Sequence, residues 1–312
     1  MRTPLLRLLS LGALSILWLW LCACNARHDG DDPGGGGPPP SSGGQGDGGG
    51  PFEQVPECKK VDILFVIDDS GSMADNQKSL IASFPAFIDG MKRRLATAQD
   101  YHIGVVTSDT YLHNDSGCTA IGSLVTRTGG PQSSNRVCGP FDGGGRYLTS
   151  TDAKLGERFA CAAQVGTGGS DDERMARGLL NALAPAARCN AGFRRPDALL
   201  VVVMITDEDD VPDGCDGNGA CMTYGSGGTP DDWFTEFKRY EPRPENVVVL
   251  SLLGRRGDNP CGAVPASRLI GFTNRFGKNG FLGDICASSY GSFFESALPL
   301  IQDACKVFIP LG

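Results

Sequence analysis

Val61-Asp62-Ile63-Leu64-Phe65-Val66-Ile67 runs without a break into Asp68-Asp69-Ser70-Gly71-Ser72-Met73. Its first seven residues are almost continuously apolar and rich in β-branched side chains. That is the pattern of a strand buried on both faces of a parallel sheet, not of one half-exposed to water. Ala198 to Ile205 repeats the pattern and ends in Thr206-Asp207-Glu208-Asp209-Asp210. Val247 to Leu253 is a third such run, and Ile103 to Thr107 a shorter fourth. Helical spacing lies between and beyond them. It places Leu80, Phe84, Phe87, Ile88 and Met91 within 76–95, Met175, Leu179, Ala182 and Leu183 within 171–186, and Phe293, Ala297, Leu300, Ile301 and Ala304 near the C-terminus. Strands alternating with helices imply an α/β domain, a doubly wound and mainly parallel sheet with helices on both faces. Tyr147-Leu148-Thr149 reads as a short edge strand beside the 101–107 strand, and Trp233, Phe234 and Phe237 read as core.

In a parallel sheet the ends at Asp68 and Asp207 open on the same edge, where open α/β folds bind ligands. Carboxylates gathered there repel unless a cation lies between them. Ser70 and Ser72 add neutral oxygens, and a hard cation takes about six oxygen ligands. The set therefore suits Mg²⁺ or Mn²⁺ rather than zinc. A second cation such as Ca²⁺ is a further expectation at Asp207, Glu208, Asp209, Asp210, Asp213 and Asp216, although an acidic run is usually a solvated loop. Asp69-Ser70-Gly71 echoes a protease nucleophile segment, but the chain has only His28, His102 and His113 to serve as base. Gly271 to Lys278 lacks the spacing of a phosphate loop.

Asp68-x-Ser70-x-Ser72 directly after an apolar strand, with Ile205-Thr206-Asp207 closing a later one, resembles the metal-ion-dependent adhesion site of von Willebrand factor A domains. The likeness runs over residues 58 to 309. In that family the two serine hydroxyls bind the metal, a threonine from a third loop joins them, and the two aspartates act largely through water. A carboxylate of the partner completes the shell. The resemblance thus implies a cation held by Asp68, Ser70, Ser72 and Asp207. Gly168-Gly169-Ser170-Asp171-Asp172-Glu173 stands where the family has Gly-Gly-Thr, so Ser170 is the implied third-loop donor, with Thr167 in reserve. Ser170-x-x-Glu173 also has the spelling of a helix capping box.

Arg2 and Arg7 precede or interrupt an apolar N-terminus whose uncharged run, Leu8 to Leu21, is short for a spanning helix of ~20 residues and suits a secretory signal. Leu21-Cys22-Ala23-Cys24 resembles the lipobox of bacterial lipoproteins, which makes 1–23 a signal and Cys24 the lipidated residue; plain secretion is the alternative. Residues 24–57 read as a linker, since positions 30–51 hold 11 Gly and 5 Pro. The folded part is then 58–312. By the same resemblance the expected location is the bacterial cell envelope, at the outer membrane or cell surface, with lipid as the only membrane contact. Without 1–23 the chain carries 26 bases against 36 acids, which excludes a nucleic-acid partner.

Ten cysteines remain beyond Cys24, and an exported chain predicts five disulfides. Closure of neighbouring loops predicts Cys118–Cys138, Cys161–Cys189, Cys215–Cys221 and Cys261–Cys286, with Cys58–Cys305 clasping the domain ends. The long segments 108–145, 207–230 and 254–264 all leave carboxyl ends of strands and are expected to form a stapled crown around the cation. The functional expectation is a non-enzymatic binding domain that grips a carboxylate of a protein or matrix ligand. A metal-dependent hydrolase with Glu208 as candidate base, and a structural envelope protein, are the alternatives.

Overall fold

The computed structural model describes residues 58–311 except 186, 212, 213, 216–220, 223 and 258, and only the backbone of 214, 215, 221 and 222. The signal at 1–23, Cys24, the linker at 24–57 and the side chains of the Cys215–Cys221 pair lie outside the described residues.

The chain alternates as the apolar runs require. In order, the elements are β1 (Lys60–Ile67), α1 (Ala74–Arg94), β2 (Asp100–Thr107), β3 (Leu148–Thr149), α2 (Leu155–Ala163), α3 (Met175–Leu183) and β4 (Leu199–Ile205). There follow β5 (Gly214–Cys215), β6 (Cys221–Met222), α4 (Pro230–Tyr240), β7 (Val247–Leu253), α5 (Ser267–Asn274), β8 (Gly280–Asp284) and α6 (Gly291–Lys306). Six strands form one sheet in the order β3-β2-β1-β4-β7-β8. All neighbours are parallel except the edge pair β2–β3. The fold is the doubly wound, mainly parallel α/β class that the sequence implies.

Each central strand serves two cores, which is why it is apolar at nearly every position. Ile63, Phe65 and Ile67 of β1 pack among residues of α1, α2 and α6, while Leu64 and Val66 pack among those of α3, α4 and α5. β4 divides in the same way, with Val201, Val203 and Ile205 on one side and Leu200, Val202 and Met204 on the other. Asp62 is the exception in β1. It is fully buried near the amino edge, where it accepts from the Arg195 amide at 2.7 Å and Nε at 2.8 Å and from Arg194 Nη1 at 3.2 Å. Arg194 in turn reaches Glu241 at 2.7 Å. A buried acid is tolerated only when it is so enclosed.

Strand register fixes where the chemistry sits. Ile67 lies level with Thr107 and with Ile205, so β1, β2 and β4 end flush. The chain leaves β1 toward β2 on one side and β4 toward β7 on the other. The crevice between β1 and β4 is therefore the topological switch point.

Three elements have no clear sequence signal: α2 and α5, which are short, and β8, Gly280-Phe281-Leu282-Gly283-Asp284, a half-buried edge strand with two glycines. The disulfides differ in part from expectation. Cys58–Cys305 and Cys261–Cys286 form, but Cys118 joins Cys189 and Cys138 joins Cys161, in place of Cys118–Cys138 and Cys161–Cys189. No disulfide closes the 108–145 segment on itself; its two cysteines are tied to helical neighbours. Leu124 N–H donates to Asn190 Oδ1 at 2.8 Å beside Cys189, and Ser134 Oγ donates to the Cys161 carbonyl at 2.9 Å. The backbones of Cys215 and Cys221 do face each other in the β5–β6 hairpin. No helix among the described residues is long and apolar enough to cross a membrane.

Non-reducing peptide mapping by mass spectrometry checks the crown. Linked peptides Cys118/Cys189 and Cys138/Cys161 are expected, and recovery of Cys118/Cys138 instead would mean the segment folds differently.

Candidate functional site

Asp68 is positioned by the sheet itself. Its amide extends the ladder by donating to the Ile205 carbonyl at 3.1 Å, which places the carboxyl at the mouth of the crevice. One carboxyl oxygen accepts from the Ser70 amide at 2.7 Å, a local turn that leads into α1, and the other accepts from the Thr206 hydroxyl at 2.6 Å. Ser72 Oγ donates to Asp207 Oδ1 at 2.9 Å, and Ser70 Oγ lies 3.4 Å from Ser72 Oγ. Four residues from the sequence reading, Asp68, Ser70, Ser72 and Asp207, are thus brought together across a chain separation of 135 residues between Ser72 and Asp207. Asp68 and Ser70 are buried, Asp207 nearly so, and Ser72 faces solvent. The cluster has one wet side.

The third loop arrives through Gly169, whose amide donates to the Asp69 carbonyl at 2.8 Å. A Cβ there would stand 2.6 Å from Asp69 Cγ, so only glycine allows the approach. Gln77 of α1 stitches the two loops. Its side chain donates to the carbonyls of Asp68 at 3.0 Å and Gly166 at 2.8 Å, and accepts from the Gly166 amide at 3.0 Å.

Ser170 is not joined to this cluster by any hydrogen bond among the described residues. Its hydroxyl accepts from the Asp172 amide at 3.0 Å, and Thr167 is held to the Pro131 carbonyl. Nor does Ser170 cap α3 together with Glu173. The helix begins at Met175, and Asp210 caps it from another loop by accepting from the Ala176 amide at 2.9 Å.

Glu173 is instead turned inward. It is 1% exposed, and neither carboxyl oxygen makes a well-formed hydrogen bond, although Ser108 and Asp68 lie close enough to act on it. Burial, and then the negative charge of Asp68, push its pKa up to about 10, with Asp69 adding to the effect. Asp69, also buried, is raised to about 7 by desolvation and by Asp68, against a hydrogen bond from Ser108 Oγ at 3.3 Å. Burial raises Asp68 as well, and the Asp207 charge works in the same direction. Arg174, whose charge also reaches Asp69, is committed to an ion pair with Asp109.

A buried carboxylate without a partner is costly; it is neutral or has a cation near it. The donors here are all hard oxygens: carboxyls from Asp68, Asp207 and Glu173, and hydroxyls from Ser70 and Ser72. Such a set fits a magnesium-like ion. No cluster of three or more His, Cys, Asp or Glu side chains arranged for a metal occurs among the described residues, so any ion at this edge would depend on the hydroxyls.

Two further acids of the run, Asp209 and Asp210, have structural work. Asp209 accepts from the Arg268 and Leu269 amides at 2.9 and 3.1 Å, capping α5, and Asp210 accepts from the Ser226 amide at 2.7 Å as well as from Ala176. Asp213 and Asp216 lie outside the described residues.

Sequence reading alone did not find Thr206 as the clamp on Asp68, Gln77 as the stitch, or Glu173 as part of the site. Gln77 has a visible signal, a polar residue on the apolar stripe that continues through Leu80 and Phe84.

No protein-family model matches the chain, and no curated protein matches it by sequence. Solved structures with a distant likeness include proximal thread matrix protein 1 of the mussel byssus, at 15% identity over 80% of this chain and 49% of that one, with a TM-score of 0.39. The pilus adhesin SpaC of Lactobacillus rhamnosus GG, in its open conformation, is another, at 14% identity over 80% of this chain and 30% of that one, with a TM-score of 0.38. This chain spans about half the length of the first and under a third of the second.

Glu173→Gln tests the inward carboxyl. An acid whose folded pKa is raised from 4.5 to about 10 favours the fold fully below the lower value and loses that contribution as pH rises through the interval. In EDTA, wild type should therefore lose stability from pH 5 to 8 relative to Glu173→Gln, by up to ~1.4 kcal/mol per pH unit. Parallel melting curves for the two proteins across that range would show that Glu173 is not held neutral.

Proposed function

We propose that this chain is a von Willebrand factor A-type binding domain that holds Mg²⁺ or Mn²⁺ at the β1–β4 crevice and grips a carboxylate of a protein or matrix partner. The observation that carries the reading is the connected set Asp68, Ser70, Ser72 and Asp207 at the topological switch point, with the unpartnered Glu173 carboxyl turned toward it from the third loop. Asp68, Ser70, Ser72 and Asp207 would hold the ion. Glu173, rather than Ser170, is the third-loop contributor in this reading, because the Ser170 hydroxyl already serves the Asp172 amide.

When bound, the ion supplies a directional attraction for an outside anion. The protein's own contribution is preorganisation. The Ser70 amide and the Thr206 hydroxyl fix both oxygens of Asp68, Gln77 locks the first loop to the third, and Ser72 keeps Asp207 facing the first loop. Little of the edge has to be ordered on binding, so more of the interaction appears as affinity. With a formal net charge of −8, the chain repels acidic partners at long range, and the ion reverses that only locally. The four described disulfides are those of an oxidising compartment. A lipid anchor at Cys24 in the bacterial envelope belongs to the same proposal and would present the domain to such partners.

Isothermal calorimetry of the oxidised protein with Mg²⁺ and with Mn²⁺ tests the site. Wild type is expected to take up one ion; Asp68→Ala, and Ser70→Ala with Ser72→Ala, should weaken uptake by at least ~10-fold, the scale of losing ligand support. Ser170→Ala should leave it unchanged. No heat from either ion with wild type would end the metal reading, and a loss in Ser170→Ala would return the third-loop role to that residue.

A further inference from the structure

The crown carries a feature that the cation site does not use. Two adjoining hollows lie beside the loops that follow β1 and β2. The inner one, about 160 Å³, includes Asp69, Gly168 and Gly169 on its wall. The outer one, about 440 Å³, is lined in part by Arg127, Arg136, Asn135 and Val137. Leu112, His113 and Gly129 border both, so the two hollows adjoin along the 108–145 segment and together form a groove whose inner end is at Asp69, the residue after Asp68.

We propose that this groove is a second docking subsite for an acidic polypeptide segment whose carboxylate occupies the rim. Arg127 and Arg136 are exposed, and among the described residues neither guanidinium makes an ion pair or hydrogen bond. Arg127 helps to hold the Asp115 carboxyl below its usual range, but Asp115 is already engaged by the Thr126 hydroxyl at 2.6 Å and by Arg146 at 2.9 Å. In a chain of net charge −8, two free guanidiniums around one hollow form a local positive field that favours an anionic partner.

The apolar surface points to a polypeptide. Leu112 is 76% exposed and Val137 is 63% exposed, and both line the outer hollow. A bare polyanion has nothing to lay on them, whereas a peptide that alternates acidic and apolar side chains covers arginine and aliphatic groups together. The groove is also rigid. The backbones of Arg127 and Val137 are bridged, and the Thr128 amide donates to the Arg136 carbonyl at 2.9 Å. Cys118–Cys189 and Cys138–Cys161 fasten both flanks. The His113 ring lies over Gly129 and Gly130, where an added Cβ would come within 2.7 and 2.8 Å of its nitrogens. A preformed groove of this kind binds with little ordering cost.

The subsite deepens the proposed function and rests on it only for the carboxylate at the rim. The test uses the full oxidised chain and fluorescence anisotropy with three probes: a labelled peptide alternating Glu and Leu, its Gln counterpart, and an oligogalacturonate of matching charge. The Glu–Leu peptide should bind wild type in Mg²⁺, with affinity falling as salt rises. Arg127→Glu with Arg136→Glu should weaken it at least ~10-fold, and Leu112→Ser should weaken it less, while calorimetric uptake of Mg²⁺ by both variants stays that of wild type. Preserved uptake also shows that the variants fold. If wild type takes up no Mg²⁺ but the arginine variant still loses the peptide, the groove stands and the cation reading falls. Equal binding of the peptide to wild type and the arginine variant overturns the groove. So does equal binding of the Gln peptide, or arginine-dependent binding of the oligogalacturonate alone.

Discussion

The Asp68 carboxyl sits at the tip of a strand with no access to water, and the upper edge of the sheet is organised around keeping it there. Burial opposes its charge, and Asp207 adds like charge from another loop. Opposing this are one amide, one hydroxyl and the flush register that lets the Asp68 amide continue the ladder onto Ile205. An acid held against its own desolvation is a common mark of a working site rather than of a stable core. The comparison within the molecule is instructive. Asp62, six residues earlier on the same strand and equally buried, is met by two arginines at the amino edge. Asp68 at the carboxyl edge has neutral donors only. The two ends of β1 meet the same electrostatic problem in opposite ways, with charged partners at one and neutral donors at the other.

Much of the fold could be read from the chain because β1, β4 and β7 are apolar at both parities, a pattern that only a strand covered on two sides needs. The position of Asp68 and Asp207 follows from that reading, since strand ends in a parallel sheet share an edge, and the hydroxyl spacing at Ser70 and Ser72 supplies the chemistry. Glu173 escaped for a physical reason. Its local context, four residues after two glycines and just before a helix, is that of a cap, and its inward turn is set by Asp210 taking the helix amide from another loop. The cap went to a residue 37 positions away, which frees Glu173 for the interior.

The cysteines show the same limit. Pairing by proximity along the chain works for Cys261 with Cys286, which lie just before α5 and just after β8, and the clasp of Cys58 with Cys305 forms as expected, the Cys58 amide also donating to the Cys305 carbonyl at 3.1 Å. It fails for Cys118 and Cys138, because Asn190 and Cys161 draw the segment onto elements that the chain reaches only later. Tertiary hydrogen bonds, not loop length, choose those partners.

The clasp has a mechanical consequence. Residue 58 lies at the amino edge and the candidate site at the carboxyl edge, so a pull applied between those two points would run along the strands. β1 is then loaded in shear, flanked on both sides by the parallel ladders to β2 and β4, and cannot be peeled away one bond at a time. Through Cys305 the same load is shared with α6 before it reaches β1. A domain wired in this way resists being pulled open from its leading end.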